Sequence, residues 1–150
     1  MKMKTIVCCT DFSENADKAV TAACDLARHY GAKLLIVHVL PPVVNPVLTE
    51  AEWIPPEEPP RETLLMQIQE RMQERYDAEA SRGLTSQYVV LDGHVSTEIL
   101  AFLAERQADL VIMGSYGLSG MGLVLFGSVT KRVSQKAPCS VMIVRHTDTD

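Results

Sequence analysis

Five short apolar runs, separated by stretches of helical periodicity, constrain this 150-residue chain more than any other feature. The runs are Thr5–Cys9, Leu34–Leu40, Tyr88–Leu91, Leu110–Met113 and Ser140–Val144. They are continuous rather than alternating, and a strand that is apolar on both faces has to be covered on both faces. Between the first two, Ala19, Val20, Ala23, Leu26, Ala27 and Tyr30 recur at helical spacing. Ser13 is placed as the N-cap of that helix and Gly31 closes it. Leu64, Ile68, Met72 and Tyr76 step by four through a long second helix that Gly83 ends. Ser96 is placed to cap a third helix carrying Ile99, Leu100 and Leu103. Ser128–Gln135 reads as a fourth, with Val129 and Val133 facing inward. The alternation predicts an α/β fold: one domain over residues 1–150, with a doubly wound, open, parallel five-stranded sheet and helices on both faces, Rossmann-like in type. Such sheets bind ligands beyond the C-terminal strand ends, at the point where the strand order reverses. Thr10 and Asp11 after the first strand, and Met113 and Gly114 at the end of the fourth, are the walls of that crevice.

Composition narrows the classes of function. The formal net charge is −5, and no basic stripe of the kind that binds nucleic acid is evident. Lys131, Arg132 and Lys136 cluster on one helix and read as a solvated face. No apolar run approaches the ~20 residues of a membrane span. The basic start, Met1–Lys4, is followed by too short an apolar run for a signal peptide. The expectation is a soluble, cytoplasmic protein. Cys8, Cys9, Cys24 and Cys139 form no CxxC and no zinc-like spacing, so they read as buried thiols in a reducing compartment. Cys8 and Cys9 are adjacent on a strand and should point to opposite faces. His29, His38, His94 and His146 are scattered and form no metal cluster.

One segment breaks the compact pattern. Pro41–Pro60 holds seven of the eight prolines, four glutamates and the only tryptophan, Trp53. A connection of about twenty residues without periodicity is uncommon in a compact domain. Because it leaves the C-terminal end of the second strand, it is placed to act as a lid over the crevice; a proline-stiffened surface excursion or a dimer contact is the alternative.

The chemistry-bearing motif follows the fourth strand: Gly114-Ser115-Tyr116-Gly117, nine residues, then Gly127-Ser128 at a helix start. Glycines that open a strand onto a helix N-terminus expose backbone amides to an anion. Gly122 to Gly127 has the glycine spacing of a P-loop, but Ser128 stands where its lysine belongs. Gly120-x-Gly122 is followed by Leu125 where a dinucleotide fingerprint has its third glycine, and it follows the wrong strand. A GxSxG nucleophile elbow is absent. What is left is Gly-x2-Gly-x9-Gly-Ser, with Asp11 after the first strand.

With these pieces the chain resembles the universal stress protein family over essentially its whole length, and specifically its ATP-binding branch. The resemblance lies in Ile6–Ser13, in Val37-His38-Val39, and in Met113–Gly117 through Gly127-Ser128-Val129 to Pro138–Val144. It implies an adenine-nucleotide hydrolase-like version of the fold. It also implies that amides of Gly114, Gly117, Gly127 and Ser128 hold the phosphates, and that the Ser128 hydroxyl adds a donor. Asp11 would meet the ribose or a phosphate-bound Mg²⁺ or Mn²⁺, since hard cations prefer carboxylate oxygen. Val39 and the backbone near Thr10 would contact adenine, Met113 and Val129 would pack nearby, and Cys9, at a position where the family varies, is counted with the binding residues. The ligand would be ATP, or ADP or AMP. A homodimer through the last strand, Ser140–Val144, is implied as well. The leading expectation is a nucleotide-binding regulatory protein of the stress response rather than an enzyme. A slow ATP hydrolase or self-phosphorylating protein, and a chaperone-like module using Pro41–Pro60 to hold a protein partner, are the alternatives.

Overall fold

The computed structural model describes residues 2–42, 59–115 and 127–145. Among them, β1 (Thr5–Cys9), α1 (Glu14–Tyr30), β2 (Lys33–Leu40), α2 (Arg61–Ala80), β3 (Thr85–Asp92), α3 (Val95–Glu105), β4 (Leu110–Gly114), α4 (Ser128–Lys136) and β5 (Ser140–Val144) alternate strictly. The strands form one parallel sheet in the order β3-β2-β1-β4-β5. The predicted doubly wound architecture is therefore the observed one.

The central strand shows why continuous apolar runs were required. Ile6 and Cys8 face the layer formed by α1 and α2, whereas Val7 faces α3 and α4, and all three are fully buried. Cys9 packs on the Val7 side, opposite Cys8, as strand geometry demands. On α1, the alanines at 16, 19, 23 and 27 are buried. Small side chains let that helix lie close to β1 and β4. Ser13 accepts the Ala16 N–H at 3.2 Å, and Gly31 ends the helix in the left-handed conformation at φ 63°.

Some local expectations are corrected. Tyr30 is not part of the core: it is 48% exposed and lies edge-on to His29. α2 stops at Ala80, three residues before Gly83; Ser81 follows as its C-cap and donates both its N–H and its hydroxyl to the Asp77 carbonyl. Ser96 does not cap α3. His94 holds the cap position, and Ser96 is a buried helical residue whose hydroxyl accepts from Arg132 Nη1 at 2.8 Å. Arg132, read as part of a solvated face, thus ties α4 to α3. α4 begins with Gly127 as its N-cap and runs one residue past Gln135.

Most of the Pro41–Pro60 excursion, Trp53 included, lies outside the described residues. Its described ends are held together by Arg61. That guanidinium donates to the carbonyls of Leu40 and Pro41 at 3.2 and 2.6 Å and to the Asp92 carboxylate at 2.7 Å.

Candidate functional site

From β1 the chain winds toward β2 and β3 on one side of the sheet. β4 and β5 lie on the other side, so the strand order reverses between β1 and β4. A cleft of about 400 Å³ opens there, at the C-terminal strand ends. Nine of the ten residues predicted from sequence line it. Cys9, Thr10 and Asp11 come from the end of β1, Val39 from β2, Met113 and Gly114 from β4, and Gly127, Ser128 and Val129 from the start of α4. Gly117, the tenth, lies outside the described residues.

Sequence reasoning missed the rest of the wall. Val37, Val95 and Ile99 complete an apolar slot with Val39 and Met113, and Ala16, His38, Pro41 and Thr130 also line the cleft. Val37 could have been found from Val39, because the two share a face of β2. Val95 and Ile99 are one turn apart on α3, but nothing local marks that turn as facing a ligand. The cleft lining is therefore mixed. Apolar side chains from β2, β4 and α3 line it together with Asp11 and the N-terminus of α4.

Among the described residues, that N-terminus has no side-chain cap. A helix leaves its first amides without intrahelical partners and carries a partial positive charge at that end. Gly127 sits there with φ −64° and ψ 160°, a backbone any residue adopts. A Cβ built on it meets nothing within 4 Å among the described residues. Neither dihedral strain nor packing among these residues requires glycine at this position. Gly114 differs. A Cβ there would stand 2.9 Å from the Asn15 carbonyl carbon and 3.0 Å from its oxygen, inside the first turn of α1. The fold itself requires that glycine. Thr130 adds a tie between the two segments by donating to the Gly114 carbonyl at 3.3 Å.

The polar chemistry is sparse. Among the described residues, the cleft lining contains no lysine or arginine, and Asp11 is its one carboxylate. One Asp11 oxygen accepts the Ser13 N–H at 3.0 Å, which fixes the turn that presents the side chain. No group of three metal-ligating side chains occurs among the described residues. A single carboxylate cannot cage a divalent ion, but it can complete the shell of one that arrives on phosphates. Burial pushes the Cys9 thiol up to about 12, so it stays protonated and is a packing group rather than a nucleophile. His38 Nδ1 lies 2.7 Å from the Thr10 carbonyl. A carbonyl only accepts, so Nδ1 carries the proton, and burial lowers the imidazole pKa and favours its neutral form.

A parallel sheet with a cleft at its switch point defines the open, doubly wound α/β class. Within that class, the model of the universal stress protein family matches residues 2–145. The chain is 33% identical over 143 residues to the Thermus aquaticus protein named Universal stress protein in QAH/OAS sulfhydrylase 3'region, covering 95% of this chain and 98% of that one. The chain belongs to the universal stress protein family. Its fold is similar to that of a universal stress protein crystallised in complex with cAMP, with a TM-score of 0.67 and 24% identity over 96% of this chain and 98% of the other. It is likewise similar to the universal stress protein from Archaeoglobus fulgidus in complex with dAMP, with a TM-score of 0.65 and 22% identity over 96% and 99% of the two chains.

Proposed function

We propose that this protein holds an adenine nucleotide, ATP in the first instance, in the β1/β4 cleft and serves as a nucleotide-responsive regulatory protein in the cytoplasm. The observation that carries the reading is the α4 N-terminus at Gly127-Ser128, without a side-chain cap among the described residues and lining the same cleft as a set of apolar side chains. A flat aromatic base suits the slot made by Val37, Val39, Val95 and Ile99. Phosphates suit free amides at the positive end of a helix dipole. Gly114 and Ser128 border the same rim, and Gly117 belongs to the same motif. The adenine monophosphates held by two proteins of similar fold support the choice of base.

Asp11 is assigned to the Mg²⁺ or Mn²⁺ that accompanies the phosphates. The reading is one of holding rather than turning over. Beyond the cation that travels with the phosphates, phosphoryl transfer uses a group that positions the attacking nucleophile, and the one carboxylate of the described lining, Asp11, is already assigned to that cation. The protein is further proposed to pair with a second copy through β5. Among the described residues that strand bonds to β4 on one side only, and Met142 on it is 37% exposed. A covered edge is the usual solution for an apolar strand.

Calorimetry with AMP, and with ATP in the presence and absence of Mg²⁺, tests the assignment. Wild-type protein should bind AMP and should bind ATP more tightly when Mg²⁺ is present. Asp11→Asn should remove the gain from Mg²⁺, about tenfold for one lost charged ligand, and leave AMP binding within about twofold. No heat with any of these ligands would sink the reading.

A further inference from the structure

A chain of hydrogen bonds reaches the cleft from the far side of the sheet. Tyr76, on α2, does not line the cleft and is 4% exposed. Its hydroxyl donates to Asp17 Oδ1 at 2.8 Å, and Asp17 is in turn held by Arg75 Nη2 at 2.6 Å. A carboxylate only accepts, so the one Tyr76 proton is committed to Asp17. The 2.6 Å contact between Tyr76 and Thr10 Oγ1 is then donated by Thr10. Thr10 Oγ1 accepts the Phe12 N–H at 3.0 Å. The order is therefore fixed from end to end: Phe12 amide to Thr10 hydroxyl, to Tyr76 hydroxyl, to Asp17. Bonds aligned this way polarise one another.

The chain ends on a strained residue. Phe12 has φ 66°, a conformation that bulky side chains rarely adopt and that persists only when its surroundings over-determine it. Here those surroundings are on the page. The Phe12 ring is stacked on Tyr76 at 6.5 Å with planes 8° apart, lies 4.8 Å from His38, and carries the Arg71 guanidinium 4.0 Å above its centroid. Asp11 stands between Thr10 and Phe12, so its backbone direction follows from both.

We infer that Tyr76 is a positioning residue for the nucleotide cleft: through Thr10 and the strained Phe12 it sets where Asp11 points, although it touches no ligand itself. The inference rests on the assignment of the cleft to nucleotide, and it makes α2 part of the site's supporting structure. Any event that shifts α2 relative to the sheet would be read out at Asp11.

Tyr76→Phe keeps the ring stack and deletes both hydroxyl bonds. In the ligand-free full-length protein, amide resonances of Asp11, Phe12 and Ser13 should move, while those of Leu103 and Val111 in the other layer should not. Affinity for ATP with Mg²⁺ should fall about tenfold, the scale of one lost buried hydrogen bond. In an Asp11→Asn background the same change should cost less than about twofold, because residues acting through one another are not additive. Unmoved turn amides would overturn the inference whatever the ligand results. An equal loss of affinity in both backgrounds would also overturn it, since a general loosening of the fold adds independently. If wild-type protein binds no adenine nucleotide, the cleft assignment fails, and the ligand-free amide shifts alone decide whether Tyr76 sets the turn.

Discussion

Gly127→Asp should make the protein slightly more stable and nearly unable to bind ATP. The backbone at Gly127 already has an N-cap conformation, and a Cβ there meets no described atom. An aspartate would accept from the open amides of α4 and complement the helix dipole, gaining about 0.5–1 kcal/mol. For a domain of this size that is ~2 °C in Tm. The same side chain would occupy the place proposed for phosphate and set a negative charge against it. Two like charges about 4 Å apart in a partly buried site repel by a few kcal/mol, so affinity should fall at least ~100-fold. Gly127→Ser would cap the same amides without the charge and should lose less, ~10-fold. Thermal melts and calorimetry on the same samples check both signs. Higher stability with unchanged ATP affinity would remove Gly127 from the site.

Gly114→Ala should do the reverse. Its Cβ would fall 2.9 Å from the backbone of Asn15, which a helical first turn cannot yield cheaply. Overpacking of this kind costs about 2 kcal/mol, or ~4–8 °C in Tm. The contact couples β4 to the start of α1, where Ser13 caps the helix and its N–H holds Asp11. A displaced first turn should therefore weaken nucleotide binding as a consequence of its structural damage. A melting temperature unchanged within a degree would show that the β4–α1 junction has room it does not display. The two variants separate glycines that look equivalent in sequence: one is required by packing, and a Cβ on the other meets no described atom.

That difference marks how much was legible beforehand. The sheet, its parallel sense and the position of the crevice follow from apolar runs such as Ile6–Cys8 and Val111–Met113, whose double-sided burial leaves few other folds. The Gly-x2-Gly-x9-Gly-Ser motif and Asp11 located the polar rim, because glycine spacing after a strand is a local signal. The slot residues Val95 and Ile99 were not legible as site residues. Their role comes from how α3 lies across β2, a tertiary fact with no local mark, and in sequence they are ordinary core positions. Ser96 shows the same limit from the other side. A serine near a helix start reads as a cap, and only the fold brings Arg132 to it and buries it instead. Tyr76 read as one more step of an amphipathic helix. Its hydroxyl acquires meaning from Thr10, 66 residues away in the chain.

The most direct test of the central claim is an amide-resonance titration of the full chain with ATP and Mg²⁺. The largest shifts should fall on Gly127, Ser128 and Val129 at the start of α4, on Asp11 at the end of β1, and on Val37, Val39 and Ile99 along the slot. Saturation should come at one nucleotide per chain. Shifts confined to the opposite end of the sheet, around Lys4, Lys33 and Thr85, or no shifts at millimolar ATP, would contradict it.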